Sequence, residues 1–263
     1  MKKGLITLSL LLAIPSAALR AQTENELRLL NACKEEVSTI NSQTLYKQWH
    51  SWGSAAENKV NLTLAEYKTV VDGVMIYYDS EGKIRKYIET FSYPESSGFS
   101  IHYFDKDGYA VHSVFYNPLG ITGSRFMNKN QLVYLSVETR DENYEIEEII
   151  EQYGGESFFT ACLHTDSIPK HLTDDPLLKF DAKTNKKVNF SPPKANDKTI
   201  TNVRRANLRK NPSTAAEIIT VAELGSIVQI LESANEQWYK VMVNGQTGYI
   251  FGELLESVER IME

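Results

Sequence analysis

Val74–Ile88, VMIYYDSEGKIRKYI, sets two runs of β-branched and aromatic residues on either side of the polar turn Asp79-Ser80-Glu81-Gly82. Such runs suit a pleated, half-buried surface. The turn ends in glycine, which enters the left-handed region without steric cost. The same order returns at Phe104-Asp105-Lys106-Asp107-Gly108 and at Phe126-Met127-Asn128-Lys129-Asn130. With flanking runs at 101–104, 111–115 and 132–137, the spacing predicts hairpins with three-residue loops, glycine in the bulge position, and hence an antiparallel meander. Asp105-Lys-Asp-Gly lacks the later ligands and terminal Glu of an EF-hand calcium loop, so it reads as a turn.

Upstream the period is helical. Leu27, Leu30, Val37 and Ile40 recur at helix spacing from Glu24 to about Ser42, and a second helical piece is expected over 45–56, where Trp49 and Trp52 lie three apart. Downstream, Ile146, Ile149, Ile150 and Tyr153 followed by Gly154-Gly155 predict a short helix over 145–153, and 157–163 a further strand. Residues 181–197 turn polar, with Lys186-Lys187 and Ser191-Pro192-Pro193, and read as a semi-rigid linker.

The chain has 263 residues, 42% of them hydrophobic, an ordinary globular composition that at roughly 150 residues per domain suggests one large or two smaller domains, with two as the starting expectation. A net charge of -6 without a polybasic block argues against nucleic-acid binding, which needs concentrated positive charge. Met1-Lys2-Lys3, an uncharged, mostly apolar run to Ile14 and small residues at Ser16, Ala17, Ala18 and Ala21 have the pattern of a secretory signal peptide, 1–21. The run is shorter than a bilayer span. A secreted or periplasmic chain with no membrane insertion after cleavage is therefore expected, and loss of Lys2, Lys3 and Arg20 takes its charge from -6 to -9. Asn61-Leu-Thr is a glycosylation sequon by pattern alone. In an oxidising compartment Cys33 and Cys162 are candidates for a disulfide, with two buried thiols as the equal alternative.

After the linker come short apolar runs at 218–221, 227–231, 239–243 and 249–251, with turns at Leu224-Gly225 and Asn244-Gly245. Regular short strands in so few residues predict a small β-barrel. Asn207-Leu-Arg with Pro212-Ser213, then Gly225, Trp238-Tyr-Lys-Val and Asn244-Gly-Gln-Thr-Gly-Tyr-Ile together resemble the bacterial SH3 family over about 198–257. The resemblance implies a non-catalytic module of secreted proteins that binds peptidoglycan or its peptides, or contacts another envelope protein. Trp238, Arg209, Tyr249 and Asn207 are its candidate ligand-binding residues. Trp238 is expected to be partly exposed with its indole N–H free, Tyr249 to be more a core residue, and Arg204, Arg205, Arg209 and Lys210 to bring positive charge to the first strand.

Bacterial SH3 modules often accompany a papain-like peptidase, but Thr-Ala-Cys162-Leu-His164 lacks that nucleophile's surroundings, and no esterase, zinc-protease or phosphate-loop motif is present. No catalytic residue and no cofactor is assigned. His102 and His112 are weak metal candidates: a three-residue turn centred on Asp107 would set them opposite each other, on a face shared with Phe104, Ala110 and Val114, yet two imidazoles alone make a poor site. The reading is α+β: N-terminal helices packed on an antiparallel β-meander (22–180), followed by an SH3-like β-barrel (198–257). The function expected is non-enzymatic recognition of peptidoglycan or a wall peptide. The alternatives are an envelope enzyme with an unrecognised site, or an interaction scaffold.

Overall fold

The computed structural model describes residues 16–51, 73–93, 96–116, 122–129, 131–138, 163–174, 178–203, 205–223 and 225–262. Asn61, the expected helix 145–153, most of the expected strand 157–163, Cys162 and Arg204 lie outside them.

Helix α1 (Ser16–Ser42) precedes eight strands of one antiparallel sheet: β1 (Thr44–Ser51), β2 (Gly73–Tyr78), β3 (Ile84–Tyr93), β4 (Ser96–Phe104), β5 (Ala110–Tyr116), β6 (Thr122–Asn128), β7 (Gln131–Glu138) and β8 (Lys186–Ser191). A short helix α2 (Lys170–Thr173) lies between β7 and β8. A second antiparallel sheet contains β9 (Lys198–Ile200), β10 (Arg205–Arg209), β11 (Ile218–Glu223), β12 (Ile227–Ser233), β13 (Trp238–Val243) and β14 (Gln246–Phe251). The chain then returns as β15 (Val258–Ile261). The strand orders are β15-β8-β1-β2-β3-β4-β5-β6-β7 and β11-β10-β14-β13-β12-β9.

The predicted meander is present as β2 to β7. Its first two turns are three-residue loops, closed by Gly82 N–H donating to Asp79 O and Gly108 N–H to Asp105 O. Asp79 and Asp105 each accept two further backbone N–H bonds within their turns. Gly82 and Gly108 sit at φ +80 and +89, the left-handed geometry that selects glycine. The third turn differs: Asn128 pairs with Gln131, which leaves two residues between, and Lys129 has φ +46.

Three expectations are corrected. The segment read as a second helix is strand β1 as far as Ser51, its residues 52–56 lying outside the described ones, because Leu45, Lys47 and Trp49 alternate toward one core and Tyr46 packs on Phe180 across the other face. Pairing with β2 on one side and β8 on the other overrides the i, i+3 tryptophan spacing. The linker holds β8, so it is part of the sheet. The expected closed barrel is an open six-stranded sheet among the described residues, since its outer strands β9 and β11 pair only with β12 and β10.

Because β15 pairs with β8, residues 192–257 are inserted between two neighbouring strands of the large sheet, with Ser191 opposite Val258. The large sheet is covered on both faces. One face packs Ile40 and Val37 of α1, together with Ile200 of β9, against Met75, Ile88 and Ile101. The other packs Ile168, Leu172 and Leu178 against Val74, Ile76 and Tyr87.

On the α1 side a row of side chains crosses six ladders in register: Lys47, Tyr77, Lys86, Tyr103, His112, Phe126 and Tyr134. Two acids, Glu256 at the end of the insertion and Glu259 in β15, close on it. Glu256 Oε1 meets Lys86 Nζ at 2.8 Å and accepts from the Tyr103 hydroxyl at 2.5 Å. Glu259 meets Lys47 Nζ at 2.8 Å and accepts from the Tyr77 hydroxyl at 2.7 Å. The Lys86 ammonium also lies over the Phe190 and Tyr103 rings, 4.3 and 4.7 Å from their centroids. Burial alone would push the Glu256 carboxyl up, but the Lys86 charge and the Lys86 and Tyr103 hydrogen bonds outweigh it and hold it below the ordinary carboxylate value. Burial, then the neighbouring Glu256 charge, push the Tyr103 phenol well above its ordinary value. The cleft here, lined by Lys86, Phe190 and Glu256 among others, has a free volume of about 10 Å³, room for about one water.

Glu256→Ala leaves the Lys86 side chain, 0% exposed, without its counter-ion. A loss of about 3–5 kcal/mol in urea unfolding is expected, largely restored in Lys86→Met/Glu256→Leu, where no charge is left buried. A loss below about 1 kcal/mol for Glu256→Ala would show that this pair does not hold the insertion to the sheet.

Candidate functional site

The second sheet wraps one side around its own core. Leu208, Ile230, Val241 and Ile250 are all 0% exposed. Alternation then sends the intervening residues outward. On that outer side one row runs in register across five strands: Ile218 of β11, Arg209 of β10, Tyr249 of β14, Lys240 of β13 and Glu232 of β12. Arg209 and Tyr249 are half-buried, and Ile218 is 46% exposed. Met242, on the same side of β13 as Lys240, is 41% exposed. Arg209 Nη1 donates to the Ala216 carbonyl at 2.7 Å, and Lys240 pairs with Glu232 at 3.1 Å. That hydrogen bond and the Glu232 charge raise the Lys240 pKa. Gly248 is what brings β14 against β10, since a Cβ there would lie 2.7 Å from Arg209 O and 2.8 Å from Leu208 Cγ. The Arg209 and Tyr249 partnership depends on that close approach.

Residues 204–256 match the bacterial SH3 domain family. No curated protein and no solved structure gives a significant match to the chain. The SH3 domain thus covers β10 to β14, and its last matched residue is Glu256, the acid that closes on Lys86.

Within the SH3 domain the four sequence-predicted residues take unequal places. Arg209 and Tyr249 are register partners on the outer side, and Asn207 lies two residues before Arg209 on the same side of β10. Tyr249 was expected in the core; it faces outward because it alternates with the core residues Gly248 and Ile250. Trp238 was expected to be partly exposed and is 6% exposed. It packs edge-on against its partner Phe251, ring centroids 5.4 Å apart, and Asn235 Oδ1 accepts its backbone N–H. Ile218, Lys240 and Met242 went unassigned from sequence, although the alternation in Trp238-Tyr-Lys-Val-Met-Val already separates Lys240 and Met242 from Tyr239, Val241 and Val243. Lys210 pairs with Glu217 at 3.4 Å.

The histidine pair is corrected. Phe104 pairs with Ala110 as the turn requires, but a bulge then shifts the register by one, so Tyr103 faces His112 and His102 faces Ser113. His102 and His112 therefore point to opposite faces, His102 with Phe104 and His112 with Val114. Each finds a serine: His102 Nδ1 lies 2.9 Å from Ser113 Oγ and His112 Nε2 lies 3.0 Å from Ser124 Oγ. His112 stacks on Phe126 at 4.1 Å. Its Nδ1 is buried with no hydrogen-bond partner among the described residues. No group of three metal-ligating side chains occurs among the described residues. His164 uses both ring nitrogens to pin its loop, one near Asp107 O at 3.1 Å and one accepting from Asp166 N–H at 3.1 Å. The Cys33 thiol is buried against β6, donates to Met127 O at 3.1 Å, and is pushed up by burial.

Burial, with the positive neighbour Arg125 and His112 itself, lowers His102 from 6.5 to about 3. Burial lowers His112 from 6.5 to about 4, with Lys86 and Lys34 adding to it and Glu256 opposing. Both are neutral in the folded chain over a range in which the unfolded chain binds protons. Their contribution is therefore complete above pH 6.5 and is lost on acidification, down to about 4 for His112 and about 3 for His102. His112→Phe should remove about 2 kcal/mol of the difference in unfolding free energy between pH 7 and pH 5. Urea titrations at the two pH values check this, and an unchanged difference would contradict it.

Proposed function

We propose that this chain is a secreted, non-catalytic envelope protein whose SH3 domain binds peptidoglycan or a wall-associated peptide through the outer side of its sheet. The observation that carries the reading is the row Ile218, Arg209, Tyr249 and Lys240. It combines apolar, aromatic and cationic groups on one accessible strip, in a domain of a family that suggests wall binding. Two chemistries meet there, an aromatic and aliphatic surface for contact and guanidinium and ammonium donors for orientation.

The large sheet serves in this reading as the base that fixes the strip. The ion pairs at Glu256 and Glu259 hold the SH3 domain against it. The same buried attachment favours a second reading, in which sheet and domain jointly present a surface to an envelope protein.

Co-sedimentation of residues 22–263 with purified peptidoglycan tests the proposal. Saturable binding is expected, weakened at least about fivefold by Tyr249→Ala with the thermal midpoint retained. Trp238 is the wrong probe, because its burial makes Trp238→Ala a test of folding. A wild-type chain that stays in the supernatant at every wall concentration overturns wall binding and leaves the protein-partner reading.

A further inference from the structure

We propose that Arg209 is the anchoring cation for a peptide carboxylate, so that the SH3 domain recognises an acidic peptide rather than a neutral glycan strand or neutral cross-bridge. This rests on the reading of the outer side as the ligand surface. On this side Lys240 is paired with Glu232 and the adjacent Lys210 with Glu217, while Arg205, four residues before Arg209 on the same side of β10, stands exposed opposite Glu223. Arg209 is the exception on the strip. Among the described residues its guanidinium meets no carboxylate, and its hydrogen bond is the one from Nη1 to Ala216 O.

A guanidinium carries five N–H donors in a planar fork. The Ala216 bond fixes one corner of that fork and leaves other donors for a ligand. The group is half-buried between Ile218 and Tyr249, where solvation is partial and an unpaired charge is costly. A carboxylate offers the fork two parallel acceptors and offsets that cost. A hydroxyl or an amide carbonyl does not neutralise the charge. The Tyr249 ring beside it and the exposed Ile218 and Met242 side chains supply apolar contact for the residues next to the bound acid.

The test uses the full mature chain and peptidoglycan stripped of phosphate polymers, either native or with its carboxyl groups converted to amides. Wild-type affinity should fall about tenfold on the amidated wall. Arg209→Gln should fall by the same factor on native wall and lose nothing more on amidation. Arg209→Lys, which keeps the charge without the fork, should lie between them. Thermal midpoints establish that the variants fold, and the amidation comparison needs no variant. Equal binding of wild type to native and amidated wall, or Arg209→Gln binding like wild type, overturns the carboxylate assignment while wall recognition stands. Binding that appears only on wall retaining its phosphate polymers overturns it in favour of phosphate. Binding to none of these walls overturns the wall reading itself, and the carboxylate with it.

Discussion

The ion pair between Lys86 and Glu256 is the contact on which the arrangement of this molecule turns. Lys86 sits mid-sheet under the rings of Tyr103 and Phe190, where an ammonium survives only if a carboxylate reaches it. That carboxylate arrives from the far end of the SH3 domain, more than a hundred residues later in the chain. Glu259 repeats the contact at Lys47 and Tyr77, so two acids three residues apart engage two lysines two strands apart. Between them the chain starts strand β15. Docking of the SH3 domain and stability of the large sheet are thereby linked, because Lys86 and Glu256 are each left buried without a counter-ion if the contact opens.

Much of the meander could be read from the residues. Its two Asp-x-x-Gly turns carry their own conformational instruction in the aspartate acceptor and the glycine φ, and need no distant partner. Strands β1, β8 and β15 could not be read this way. Lys47 looks like a solvated position, and only the acid and ring brought by other segments make it a buried strand residue, while Lys186 and Lys187 stay exposed at the start of β8. The histidine register failed for a smaller reason. The turn was placed correctly, but one bulge beyond it turned His112 to the opposite face from His102.

The candidate site was partly legible. The pattern from Asn207 to Ile250 pointed to the SH3 domain, and Arg209 and Tyr249 do meet across β10 and β14. Trp238 misled because a tryptophan beside a turn looks like a ligand platform, whereas Phe251 and the Asn235 turn cover it. The pairing of Arg209 was not accessible from sequence. It follows from which neighbours find carboxylates and which do not, a property of pairing across strands.

The placement of the SH3 domain between β8 and β15 has a mechanical consequence. Its two connections leave from Ser191 and Val258, which face each other at one end of the sheet. Tension applied to the domain therefore draws β8 and β15 in the same direction, as a two-strand ribbon, and does not slide one past the other. The load falls on the ladder between β8 and β1, over the register from Thr44 opposite Asn189 to Lys47 opposite Lys186. Lys47, at the end of that ladder, is the residue that Glu259 of β15 holds, so the ribbon is fastened to the strand it would have to shear from.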